Sequence, residues 1–162
     1  MAAIPTATPA FSSVQGYLTA FGGSLYMWNG SAWNDLGISD SANSIQNLYT
    51  ADEALAANDL LYISAADNVS LSNVSSGGAS SRVIGLAVAA AIDTAPVYVQ
   101  SEGVKAGFTG LTAGARYFAN PSVAGGITST KPVGSGNTIV QIGYAKSATQ
   151  VHLHIEQLGR LA

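Results

Sequence analysis

The chain has no cysteine, so it can form no disulfide, no cysteine-ligated zinc site and no thiol nucleophile. Charged residues are also scarce: they make up 9% of the 162 residues, against about 25% in a typical globular domain. The longest apolar run, residues 83–92, is about half as long as a bilayer-spanning helix requires, and Gly85 interrupts it. We therefore expect no membrane span, and a low-charge surface that favours association with itself or with neighbours.

Basic residues are missing from the first half of the chain. The first lysine or arginine is Arg82, and six acidic residues precede it: Asp35, Asp40, Asp52, Glu53, Asp59 and Asp67. The net charge of -3 therefore combines an acidic first half with a mildly basic second half. Such asymmetry suits a protein that docks by one region onto a fixed partner. The scattered basic residues predict no nucleic-acid binding.

Residues 1–23 contain two prolines, several serines and threonines and no regular period, so we predict an extended N-terminal arm. The arm has no charge but carries aromatic residues, and exposed aromatic residues need a partner surface. The expected partner contacts in the arm are Phe11, Tyr17 and Phe21. The segment lacks the positive charge and the continuous apolar stretch of a signal peptide, so we predict no export signal.

Residues 24–50 are predicted to form a small aromatic β-hairpin and a linker. An Asn-Gly pair at 29 and 30 indicates the turn, because both residues tolerate the positive φ of a type I′ hairpin. Tyr26, Trp28 and Trp33 would then brace a β-ribbon. We favour a miniature core for these three rings, and a sugar-stacking platform is the alternative.

Residues 51–162 are predicted to form one β-module. From Asp59 onward the sequence alternates with a period of two, in short segments rich in β-branched and aromatic residues and bounded by turn residues. The predicted strands are 60–64, 69–74, 82–88, 96–103, 115–120, 138–145 and 150–158. Even spacing of short strands predicts an all-β fold, an antiparallel β-sandwich or barrel. A helix over 39–57 is left as an alternative, because Ile45, Leu48 and Leu55 have rough helical spacing.

The last predicted strand places His152, His154 and Glu156 on one face, a combination that invites a metal-site interpretation. An extended strand separates the outer two by roughly 13 Å, whereas metal ligands lie about 2 Å from one ion. We therefore predict a solvent-facing or interface strand and no metal site. Weak binding by the two histidines, or their meeting around a symmetry axis, stays open.

Catalytic motifs are absent from the sequence. There is no Gly-x-Ser-x-Gly and no glycine-rich phosphate loop followed by lysine. Asp52 and Glu53 are adjacent, so on a strand they would point to opposite faces and would not act as a paired acid and base. We predict no catalytic residue, no cofactor and no enzymatic activity.

The strand and turn residues of the predicted module resemble the β-module of tailed-bacteriophage capsid decoration (cement) proteins and, in related form, of head-fibre and tail-fibre modules. The resemblance covers residues 51–162, and one departure is Asn58, where the family commonly has glycine. Residues 25–37 separately resemble a hairpin common in phage tail and fibre proteins. The segments that carry the first resemblance include Asp59-Leu-Leu-Tyr-Ile, Arg82-Val-Ile-Gly-Leu-Ala, Gly110-Leu-Thr-Ala-Gly-Ala-Arg-Tyr-Phe, Val140-Gln-Ile-Gly-Tyr-Ala and Val151-His-Leu-His-Ile.

This resemblance implies a virion protein that is made in the host cytoplasm and sits on the capsid surface. It would form a homotrimer and clamp neighbouring subunits of the major capsid protein against internal pressure. Neither nucleic acid nor membrane is an expected partner. The alternative is a fibre or receptor-binding module in which Tyr26, Trp28 and Trp33 contact host surface glycan.

Overall fold

The computed structural model describes residues 18–21, 24–28, 33–35, 44–75 and 77–162. The chain divides into two compact units, residues 1–43 and residues 44–162. Phe11 and Tyr17, and with them most of the predicted arm, lie outside the described residues. Within the described ranges, no helix has the length and apolar character needed to cross a bilayer.

The first unit contains a three-stranded antiparallel sheet. Its strands are β1 (Leu18–Phe21), β2 (Ser24–Trp28) and β3 (Trp33–Asp35), in that order. The last residues of the predicted arm therefore form a strand, which pairs with β2. Trp28 pairs with Trp33, so β2 and β3 form a hairpin as predicted, and the predicted turn at Asn29-Gly30 lies outside the described residues.

The second unit is almost entirely β, which confirms the predicted fold class. All seven predicted strands are present, and β4 and β10 are additional. One turn of 3₁₀ helix, Ala79–Ser81, precedes β7. The strands are β4 (Ile45–Ala51), β5 (Leu60–Ala65), β6 (Asn68–Leu71), β7 (Gly85–Ala87), β8 (Pro96–Ala106), β9 (Arg116–Ala119), β10 (Ile127–Thr128), β11 (Thr138–Ser147) and β12 (Gln150–Arg160).

Strand β8 links the two parts of this sheet. Val99 and Gln100 pair with β4 on one edge and with β7 on the other. Glu102 pairs with β4 on one edge of β8 and with β12 on the other. Along this second edge, β8 therefore pairs first with β7 and then with β12. The strand order β8-β4-β6-β5-β7 returns to β8 and closes a five-strand barrel, in which the β4–β6 pairing is parallel. Strands β12, β11, β9 and β10 extend the sheet beyond the barrel.

The barrel wall carries a hydrophobic core on each face. All five barrel strands contribute to the interior cluster, which contains Ala51, Leu55, Leu61, Val69, Ala87, Val97 and Val99. The outer cluster joins the wall to β9, β11 and β12, and it contains Leu60, Val74, Leu86, Ala119, Val140, Ile142, Val151 and Leu153. Successive strand residues point to opposite faces, so the neighbours Leu60 and Leu61 serve different clusters. Each fully buried leucine contributes about 1.5–3 kcal/mol.

The helix proposed as an alternative over 39–57 is wrong, because residues 45–51 form β4. Buried and exposed side chains do not alternate in this strand: its first four residues are exposed and only Ala51 is buried. Its extended conformation comes from pairing with β8, a contact between residues about fifty positions apart in sequence. The second unit accordingly begins at residue 44, whereas the predicted module began at 51.

We expect Gly143→Ala to destabilise the fold far more than Gly159→Ala. Both glycines lie on the β11–β12 ribbon with similar backbone angles, φ +147° and +142°. A β-carbon at position 143 would clash with the carbonyl oxygen of His152. A β-carbon at position 159 would have no atom of the described residues beyond its chain neighbours within 4 Å. The control should cost about 1–3 kcal/mol for its backbone conformation alone. Equal losses in urea unfolding would contradict this steric account.

Candidate interaction surface

The outer face of β9, β11, β12 and β8 presents one cross-strand row of side chains. Arg116 pairs with Tyr144, Tyr144 with His152, and His152 with Val104. The row faces outward because the alternate residues of β12, Val151 and Leu153, are buried in the outer core. The second half of the chain thus presents an accessible surface built from four strands.

Arg116 and Tyr144 form the centre of this surface. The guanidinium carbon lies 5.6 Å from the centroid of the Tyr144 ring, and Tyr144 is 41% exposed. A cation–π contact at such an exposed site stabilises by about 0.5–1 kcal/mol. Lys146 is exposed two residues further along β11. We call Arg116, Tyr144, Lys146 and His152 the basic platform, because its chemistry fits a partner with acidic or aromatic groups.

His152, His154 and Glu156, the three residues considered as metal ligands, are exposed on β12, as their alternation with apolar residues predicted. His154 pairs with Glu102 and Glu156 pairs with Gln141, so neighbouring strands give each a different environment. Among the residues that the structure describes, no group of three or more His, Cys, Asp or Glu could hold a metal ion. Beyond His152, the exposed face of β12 continues with His154 and then with the acidic Glu156.

A shallow groove of about 520 Å³ lies at the β10 end of the sheet. Its floor comes from Phe108, Leu111 and Ile127, which pack on the outer core. The Tyr117 hydroxyl accepts a hydrogen bond from the backbone N–H of Thr112 at 3.1 Å. Hydroxyl groups of threonine and serine line the rest, and the described lining contains no charged side chain. The groove therefore offers hydroxyl and backbone groups to an occupant, beside an apolar floor.

The carboxylates after β4 hold the β5–β6 hairpin. Asp52 accepts hydrogen bonds from Ser64 Oγ and Asn68 Nδ2, both at 2.5 Å. Glu53 accepts one from the backbone N–H of Leu71 at 2.9 Å. Each carboxylate therefore has hydrogen-bonding partners on β5 or β6, and these contacts give both groups a structural role.

Asn58 occupies the turn at which the resemblance departs from glycine, and its φ of +71° confirms that the left-handed turn survives. The next residue, Asp59, accepts a hydrogen bond from the backbone N–H of Ala56 at 2.7 Å. Burial raises the pKa of the Asp59 carboxyl, the Ala56 hydrogen bond opposes that rise, and the nearby Glu53 adds to it. This turn leads directly into the buried start of β5.

Lys105 is the buried cation of the module. Its Nζ donates to the backbone carbonyls of Ala106 at 3.1 Å and Val88 at 3.4 Å. Burial lowers the pKa of this amino group, because the charged form loses hydration. The Val88 contact joins β8 to the chain that follows β7, whereas Ala106 is on β8 itself, so we assign Lys105 a structural role.

The aromatic residues predicted for partner contact lie on the first unit. Phe21 is in β1, Tyr26 and Trp28 are in β2, and Trp33 is in β3. Trp28 and Trp33 occupy directly opposite positions, and Tyr26 lies opposite Asp35. The ribbon thus brings Tyr26, Trp28 and Trp33 into one small sheet, as the sequence predicted.

The basic platform was not predicted from the sequence. Tyr144 and Lys146 are two residues apart on a recognisable strand, which marks one face of that strand. Their neighbours Arg116 and His152 come from other strands, and only the register places them together. A scan against protein-family models and a search of curated proteins each found no match for this chain.

We expect Asp59→Asn to raise the melting temperature at pH 7, because asparagine keeps an acceptor for Ala56 N–H and removes a charge that burial disfavours. Because the carboxyl pKa is raised in the folded state, protonation of Asp59 favours folding. The wild type is therefore most stable, relative to the variant, below the usual pKa of 3.8, and this relative stability is lost as pH rises. The advantage of the variant should therefore shrink as pH falls towards 3.8. A difference in melting temperature that is constant between pH 7 and pH 3.5 would contradict this assignment.

Proposed function

We propose that this chain is a capsid decoration protein of a tailed bacteriophage, which binds the outer surface of the head as an oligomer and stabilises contacts between major capsid subunits. The observation that carries this proposal is the strand and turn pattern of residues 51–162, which resembles the β-module of that family. Each of the quoted segments contains residues of a strand of one continuous sheet.

The exposed features of the second unit support a role in assembly. The basic platform lies over the outer core and carries an exposed aromatic ring. Surfaces of this kind suit a contact between proteins, in which aromatic residues and arginine contribute most of the binding energy. We assign this platform to the homotrimer contact, and we assign the N-terminal aromatic residues and the acidic first half to the capsid contact.

Decoration would act through mass action. Each bound copy stabilises the assembled shell relative to the open one, because the protein binds only across the seams of the native form. Modest contacts suffice when each oligomer engages several capsid subunits at once, since the second and third contacts are intramolecular. The protein would therefore raise the heat resistance of particles without any chemical step.

A fibre or receptor-binding module is the second candidate, and the pairing of Trp28 with Trp33 in an aromatic ribbon favours it. Neighbouring aromatic residues can stack on sugar rings and supply rigid contact area at low entropic cost. This candidate predicts saturable glycan binding that Trp33→Ala abolishes, whereas the decoration proposal predicts no glycan binding.

The decisive experiment is to count the copies of this chain per purified virion by quantitative mass spectrometry, with the major capsid protein as the internal standard. We expect a copy number comparable to that of the major capsid protein, because a decoration protein repeats over the whole shell. A much lower copy number, as expected for one tail or a few fibres, would instead support a fibre or receptor-binding module. Absence from particles would reject both.

We expect Arg116→Glu to dissociate the oligomer, because it removes the cation–π contact with Tyr144 and reverses the charge at the centre of the basic platform. Lys131→Glu is the matched control, since Lys131 is also exposed but lies in the loop before β11. Light scattering after size-exclusion chromatography would measure both variants. An Arg116→Glu oligomer of unchanged mass would contradict the role assigned to the platform.

A further inference from the structure

We draw no further inference here: the strongest candidate, the hydroxyl-lined groove at the β10 end of the sheet with its floor of Phe108, Leu111 and Ile127, carries nothing, because nothing in the described part of the chain shows what covers it.

Discussion

Hydrogen bonding along both edges of β8 holds the second unit together. One edge binds β4, and the other binds first β7 and then β12. This single strand therefore belongs both to the closed barrel and to the sheet that extends beyond it. Burial follows the same arrangement, since Leu86 faces the outer cluster and its neighbour Ala87 faces the barrel interior. A change that separated β8 from β12 would expose both the outer core and the support of the basic platform.

The basic platform and the partly paired edge of β4 follow from this arrangement in different ways. The basic platform consists of side chains that the outer core forces outward, so its rigidity derives from packing. On one edge of β4, β6 reaches only the last two residues, and within 44–75 and 77–162 no strand pairs with residues 45–49 on that edge.

Most strand positions followed from the sequence because a half-buried strand alternates its side chains. Residues 60–64 and 150–158 were predicted as strands, and the structure contains Leu60–Ala65 and Gln150–Arg160. Exposure of His152 and His154 followed from the same period. The helix alternative failed at β4, because that strand buries only Ala51 and shows no clear alternation.

The sequence by itself determined the fold class, the approximate positions of seven strands of the second unit, and the separation of acidic and basic residues along the chain. These are local properties, encoded by side-chain period, turn residues and charge. Only the tertiary structure decided the closure of the barrel, the parallel β4–β6 pair and the meeting of Arg116 with Tyr144. Strand pairing joins backbone groups that are the same at nearly every residue, so the choice of partner depends on how the whole set of strands packs.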